Sequence, residues 1–108
     1  MTGAPAASGK PAAQVRALHA AALFLQAAAA GELEVTVDPD AFITIRVPRG
    51  HGDLATREAL ITSLASTASE GYVVRFISPG CQDRYGVAGY GHLEGHPVTF
   101  TTPNAETR

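Results

Sequence analysis

One glycine-rich segment lies where phosphate chemistry would be expected. The segment VPRGHGDLATREAL spans residues 47–60, and Gly50, Gly52 and Ala55 match the pattern G-x-G-x-x-A. An apolar, strand-like run precedes it and a helix-like run follows, which is the context that a dinucleotide-binding fingerprint requires. The loop formed by Arg49, Gly50, His51 and Gly52 is therefore the candidate site for an anion or a small ligand.

The same segment also fits an ordinary helix start. Asp53 is placed to cap the helix, and its carboxylate would repel a phosphate bound at the same helix terminus. The acidic residue about twenty positions further on is Glu70, which precedes the next predicted strand and so lies at the wrong edge of the sheet to reach a ribose. An Asp-capped helix is the favoured interpretation, and nucleotide binding is the alternative.

Histidine and cysteine side chains suggest two other kinds of chemistry. His92 and His96 are four residues apart, a spacing that suits a metal site on a helix. Across a two-residue hairpin turn, however, these side chains point to opposite faces, and no metal site is predicted. Cys81 has no nucleophile signature around it and is interpreted as an inert loop thiol. We expect no catalytic residue and no cofactor.

Length and composition limit the class of protein. With 108 residues the chain is long enough for one domain with a sizeable core. Eight basic and ten acidic residues give a net charge of −2. This charge does not favour nonspecific binding to nucleic acid, and sequence-specific binding is the remaining nucleic-acid alternative. The single cysteine excludes an intramolecular disulfide and fits a reducing compartment, so the prediction is a cytoplasmic protein.

The alanine-rich run at residues 17–30, ALHAAALFLQAAAA, allows two interpretations. As part of a signal peptide formed by residues 1–30, it would direct secretion. Helix formation is favoured instead, because polar residues interrupt the run, alanine is weakly hydrophobic, and Gly31 stands where a helix cap belongs. The residues that recur at helical spacing are Val15, Leu18, Ala22, Leu25 and Ala29. The run is too short to span a membrane, and no membrane contact is expected.

After Gly31 the hydrophobic period changes from helical to two. Leu33, Val35 and Val37 share one face of a first strand, and Ile43, Ile45 and Val47 share the core face of a second strand after the turn DPDA. A second helix is predicted from Asp53 to Gly71, with Arg57 on its solvated side. A third strand at 72–78 follows, and Glu94 and Gly95 form a two-residue turn between the last two strands.

These elements predict an α+β fold in the order αββαβββ. We expect a five-stranded, mainly antiparallel sheet with two helices packed on one face. The domain is predicted to occupy residues 12–102, between a flexible N-terminal arm at 1–11 and a C-terminal tail at 103–108.

Three segments carry a resemblance to a known group of proteins. They are the I-x-I-x-V pattern at residues 43–47, the helix start at Gly52 and Asp53, and the closing G-H-P-V-T-F at 95–100. Together they resemble small uncharacterised actinobacterial (Streptomyces-type) α+β proteins, some of them found in phage or mobile-element neighbourhoods. The resemblance covers residues 32–102 and implies the same fold outline and a bacterial source; no activity or residue role follows from it.

The predicted architecture leaves one face of the sheet without helices. If the helices cover the face that carries Ile43, Val74 and Phe100, the opposite face is rich in apolar side chains and arginine. Its predicted members are Phe42, Thr44, Arg46, Val73, Arg75, Ile77, Tyr90 and His92. Large apolar patches usually mark interaction surfaces, so we expect a non-enzymatic interaction module that forms a homodimer or binds another protein, with a regulatory or accessory role. The alternatives are a sequence-specific nucleic-acid-binding protein and a small-ligand binder.

Overall fold

The computed structural model describes residues 10–29, 31–77 and 85–103, with the backbone alone at residues 10, 11, 77 and 85. Within these residues the chain forms the predicted αββαβββ order and the predicted α+β fold. The helices are α1 (Lys10–Ala28) and α2 (Leu54–Thr67), and the strands are β1 (Glu34–Val37), β2 (Ile43–Arg46), β3 (Ser69–Ile77), β4 (Tyr85–Leu93) and β5 (His96–Thr101). The helix α1 therefore begins two residues before the predicted start of the domain.

The five strands form a single mixed sheet in the order β1-β2-β5-β4-β3. The β1-β2 and β4-β5 hairpins are antiparallel, and Leu93 pairs with His96 across the two-residue turn, as predicted. The helix α2 carries the chain from β2 to the far edge of the sheet, from which β3, β4 and β5 return. Because β5 enters beside β2, those two strands are parallel, whereas the other three neighbouring pairs are antiparallel.

The core lies between one face of the sheet and the two helices. Ile43, Ile45 and Phe100 are almost completely buried there, and the Phe24 ring of α1 lies 5.7 Å from the Phe100 ring, centroid to centroid. The face of α1 that packs on the sheet differs from the predicted one. Its buried residues are Ala17, Ala20 and Ala21, whereas Val15 and Leu18 are exposed. Small alanine side chains bring the helix close to the sheet, and this close packing outweighs the larger apolar area of Val15 and Leu18.

Gly89 and Gly91 let α2 lie close against β4. A Cβ atom added at Gly89 would stand 2.9 Å from Ala65 Cβ, and one added at Gly91 would stand 2.9 Å from Ala68 Cβ. Because such separations are shorter than van der Waals contact, only glycine fits beneath the last turn of α2 and the residue that follows it.

Arg57 is buried, which corrects its predicted place on the solvated side of α2. Its side chain is 6% exposed. Its Nε donates to the Gly52 carbonyl oxygen (3.0 Å), and its Nη1 donates to Thr102 Oγ1 (2.9 Å) and to the Pro103 carbonyl oxygen (2.7 Å). Thr102 Oγ1 in turn donates to the Val47 carbonyl oxygen (2.6 Å). One guanidinium thus joins the start of α2 to the ends of β2 and β5, and it holds Pro103, which the sequence places in the tail.

The junction between α2 and β3 also differs from the prediction. The helix ends at Thr67 rather than at Gly71, and β3 begins at Ser69. Ser69 pairs with His92 and Tyr72 pairs with Tyr90, so three steps along β3 match two steps along β4. The extra residue forms a β-bulge, in which Glu70 has a left-handed backbone with φ +56°.

No helix in the described part of the chain combines the length and the hydropathy needed to cross a lipid bilayer.

Replacing Gly71 tests the packing that holds the bulge. A Cβ atom on Gly71 would overlap the Ala65 carbonyl oxygen, a backbone atom of α2. We expect Gly71→Ala to lower the free energy of unfolding by about 1–3 kcal/mol, measured by urea denaturation. The control is Gly50→Ala, whose Cβ would have no heavy atom within 4 Å; it should be neutral or stabilising by up to about 1 kcal/mol. Equal effects of the two changes would contradict the overlap.

Replacing Arg57 tests the buried guanidinium. We expect Arg57→Met to lower the free energy of unfolding by about 2–4 kcal/mol, because the carbonyl oxygens of Gly52 and Pro103 lose a charged donor. The matched control is Arg46→Met, since Arg46 forms an exposed ion pair with Glu34; that change should cost less than about 1 kcal/mol. A loss at Arg57 no larger than that at Arg46 would show that the buried hydrogen bonds do not stabilise the fold.

Candidate interaction face

The face of the sheet opposite the helices is identified by the alternation of burial along β2. Ile43 and Ile45 are buried against the helices, whereas Thr44 and Arg46 are exposed on the other side. The β2-β5 and β4-β5 pairs place Thr99 and Tyr90 on the same side as Thr44, because directly paired residues point to the same face. This side, which neither helix covers, is called the open face below.

The predicted face assignment of β3 is wrong. Val73 pairs with Gly89 and Arg75 pairs with Val87, and both partners belong to the helix-bearing side of β4. Val73 and Arg75 therefore do not share the open face with Tyr90. The bulge at Glu70 adds one residue before the regular pairing begins, and a shift of one residue moves every side chain of a strand to the opposite face. Ile77 pairs with Tyr85 through its backbone, and its side chain lies outside the described residues.

The residues that replace them on the open face form a continuous apolar strip. Tyr72 pairs with Tyr90, Val74 with Ala88 and Phe76 with Gly86. The strip is defined as Tyr72, Val74, Phe76 and Tyr90. Its two tyrosine rings are stacked, with centroids 5.4 Å apart and an angle of 29° between planes. Tyr72 is 58% exposed, Val74 40% and Phe76 38%, whereas Tyr90 is half-buried, so a substantial part of the strip's apolar area faces solvent. The Phe76 ring lies over Gly86, where any side chain would collide with it.

The other half of the open face is polar. Glu34 of β1 pairs with Arg46 of β2, and Arg46 Nη1 lies 2.6 Å from Glu34 Oε1 in an exposed ion pair. Thr44 and Thr99 pair across β2 and β5, next to Tyr90. Thr44, Arg46 and Tyr90 thus lie on the open face as predicted, but the apolar side chains are gathered at its β3 side.

Phe42 stands apart from the strip. It precedes β2 and is 53% exposed. Strands lie about 4.8 Å apart, and two residues along a strand span about 6.6 Å, so roughly 12 Å separates the backbones of Phe42 and Tyr90, with β5 between them. Phe42 is therefore not counted in the strip.

His92 lies on the open face at the bulge. Its Nδ1 is 3.4 Å from Glu70 Oε1, which allows an ion pair when the imidazole is protonated. Because Glu70 occupies the bulge, this contact joins the C-terminal end of β4 to the start of β3.

The loop Arg49, Gly50, His51 and Gly52 is a short 3₁₀ turn followed by a capped helix. The turn spans Arg49–His51, and Asp53 caps α2 by accepting a hydrogen bond from the Thr56 amide (2.9 Å). His51 Nε2 lies 2.7 Å from the Glu32 carbonyl oxygen. The cleft beside the turn, about 480 Å³, is lined by Glu32, Pro48, Gly50 and His51. With carboxylates at Glu32 and Asp53, the geometry favours the helix-cap interpretation over a phosphate site.

A second cleft is lined by two histidines, His19 and His96. It lies between α1 and the β4-β5 turn, has a volume of about 450 Å³, and is lined by Val15, Arg16, His19, Glu94 and His96. Among the described residues, no three His, Cys, Asp or Glu side chains are grouped so that they could hold a metal ion. Cys81 and its loop lie outside the described residues.

Sequence reasoning missed Tyr72, Val74 and Phe76 because it assigned Val74 to the helix-bearing face and included no bulge before the strand. One indication was available. A glycine inside a strand pattern often marks a bulge, and Gly71 directly precedes the first tyrosine.

In comparisons with protein-family models, curated proteins and solved structures, nothing matches this chain.

The cap at Asp53 predicts a pH dependence of stability. The hydrogen bonds from the Thr56 amide and hydroxyl, with a smaller effect of the Arg57 charge, lower the pKa of the Asp53 carboxyl below its ordinary value. The unfolded chain therefore binds a proton at Asp53 more readily than the folded chain does. The stabilisation that the ionised carboxylate provides is complete above about pH 4, the ordinary range of an aspartate, and is lost as the pH falls through the lowered pKa.

Comparison with Asp53→Asn isolates this effect, because asparagine also caps helices but does not titrate. We expect the wild type to be more stable than Asp53→Asn at pH 7, and the difference to disappear on acidification towards pH 2, measured by urea denaturation. A difference that stays constant over this range would contradict the lowered pKa.

Proposed function

We propose that this chain is a non-enzymatic interaction module that self-associates through the apolar strip of Tyr72, Val74, Phe76 and Tyr90. The observation that carries the proposal is the grouping of these side chains at one side of a sheet face that no described residue covers. Aromatic residues are enriched at the centres of protein interfaces, where they bury a large area with little loss of conformational freedom.

Three titratable residues in or near the glycine-rich loop have structural partners. Asp53 caps α2, Arg57 joins three chain segments, and His51 contacts the Glu32 carbonyl oxygen. These contacts support a role in assembly rather than catalysis. We place the protein in the cytoplasm, where its single cysteine would stay reduced, and assign it a regulatory or accessory role.

The charges on the open face favour a protein partner over nucleic acid. Arg46 is paired with Glu34, and Arg75, which was expected beside the aromatic residues, belongs to the other face. The stacked tyrosines resemble the platforms on which bases stack, but such platforms are combined with unpaired basic side chains that track the backbone. The net charge of −2 adds no attraction for phosphates.

Light scattering coupled to size exclusion tests the strip. We expect the wild type to dimerise, and Tyr72→Glu to weaken the dimer at least about tenfold, because a buried carboxylate would replace an interface aromatic. The matched control is Phe42→Glu, an equally exposed aromatic on the same face outside the strip; it should dimerise like the wild type.

Two outcomes would contradict the proposal. One is a wild type that stays monomeric up to about 1 mM, where a dimer with a free energy near −4 kcal/mol would still form. The other is a Phe42→Glu defect as large as that of Tyr72→Glu. Binding to mixed oligonucleotides that weakens steeply with salt would favour the nucleic-acid alternative instead.

A further inference from the structure

The two edges of the sheet are protected to very different degrees. The β1 edge is four residues long and carries the charged Glu34. Gln14 of α1 donates from Nε2 to the Val37 carbonyl oxygen of β1 (3.1 Å), so a helix side chain occupies part of this edge. Natural proteins prevent a sheet edge from pairing with another chain by keeping the edge strand short, by placing charged residues on it and by covering it with other parts of the chain.

The β3 edge has little of this protection among the described residues. The strand is nine residues long, and its side chains from Ser69 to Phe76 are all exposed. Between Gly71 and Ile77 the sequence contains one charge, at Arg75, and no proline. Val73 is exposed on the helix-bearing side, and Tyr72, Val74 and Phe76 are exposed on the open face. A long, exposed edge with apolar side chains and one charge is a template for pairing with another strand.

We propose that β3 pairs antiparallel with β3 of a second copy, with Val74 opposite Val74 of that copy, so that two five-stranded sheets become one ten-stranded sheet. This inference rests on the proposed self-association and specifies its geometry. The twofold axis passes between the two Val74 residues and makes the contact self-complementary.

The bulge limits where the twofold axis can lie. Regular pairing in β3 runs from Tyr72 to Ile77, since the register shifts between Ser69 and Tyr72, where Glu70 has a left-handed backbone. A twofold axis at Val74 lets five residues, 72–76, pair without including the bulge. An axis at Val73 would leave only three residues, 72–74, in regular pairing, whereas an axis at Arg75 would again pair five, 73–77.

The side chains support the same register. With the axis at Val74, each Tyr72 faces a Phe76 and each Val73 faces the apolar stem of an Arg75, on opposite faces of the joined sheet. Aromatic and β-branched pairs directly opposite each other stabilise antiparallel strands. An axis at Arg75 would instead place two guanidinium groups opposite each other, which is destabilising. The strand is therefore complementary to itself in this register: aromatic side chains face aromatic side chains, and the one charge does not face its own copy.

Cysteine crosslinking tests the register in a Cys81→Ser background. Directly opposed Cα atoms in antiparallel strands are about 4.5–5.5 Å apart, within the disulfide range. We expect Val74→Cys to form a covalent dimer under mild oxidation at least about ten times faster than the control Thr44→Cys, an exposed open-face residue of β2, because pairing raises the local thiol concentration. Arg75→Cys alone should crosslink slowly, since its copies lie about 8 Å apart. A mixture of Val73→Cys and Arg75→Cys should form the mixed disulfide.

Hydrogen exchange provides a second measurement on the unmodified protein. Amide exchange in residues 72–76 should slow as protein concentration rises, whereas exchange in β1 should not change. A wild type that dimerises by light scattering, but shows no protection of β3 and no preference for Val74→Cys, would overturn the edge pairing and leave self-association through the strip intact. A wild type that remains monomeric would overturn both.

Discussion

The bulge at Glu70 and Gly71 is the constraint that determines which side chains of β3 lie on the open face. Gly71 packs against the Ala65 carbonyl oxygen with no room for a Cβ atom, so the chain leaves α2 along a path that only glycine permits. On that path β3 contains one extra residue between its pairs with His92 and Tyr90 of β4. The extra residue turns Tyr72, Val74 and Phe76 to the open face and Arg75 away from it. Without the bulge, the face would carry Val73 and Arg75, a less aromatic and more cationic surface.

A second constraint, at the other end of α2, holds the helix in register with the sheet. Arg57 bonds to segments that are 45 and 46 residues away in the sequence, at Thr102 and Pro103. Its guanidinium satisfies carbonyl and hydroxyl oxygens at the point where β2 and β5 end together, a place where backbone groups would otherwise lose their partners. Asp53, one turn earlier, caps the same helix. The two ends of α2 are thus determined by different chemistry: a charged hydrogen-bond cluster at the start and steric contact at the end.

The parts of the fold that depend on local periodicity were predictable from the sequence. The alternation in β2 correctly identified Ile43 and Ile45 as core residues, and the Glu94-Gly95 turn fixed the pairing of β4 with β5. The face of β3 was not predictable in this way, because one inserted residue reverses the whole strand while leaving its composition unchanged. Arg57 was missed for a different reason. Its partners are distant in sequence, and an arginine in an amphipathic helix has no local feature that distinguishes a buried side chain from a solvated one.

Geometry also explains why the described side chains of the edge strand β3 are exposed. Packed helices lie about 8–10 Å apart, and strands lie about 4.8 Å apart, so two helices cover roughly four strands. Gly89 and Gly91 let α2 lie close to β4, and α1 contacts β1, β2 and β4. The edge strand β3 contacts α2, whose last turn packs against Gly71, but the side chains from Tyr72 to Phe76 stay exposed. Its residues cannot be buried within one copy by the described elements, and yet they are mostly apolar. A sequence that keeps tyrosine, valine and phenylalanine at such positions is physically consistent with burial in an assembly, because the hydrophobic gain that one copy lacks is supplied by a partner.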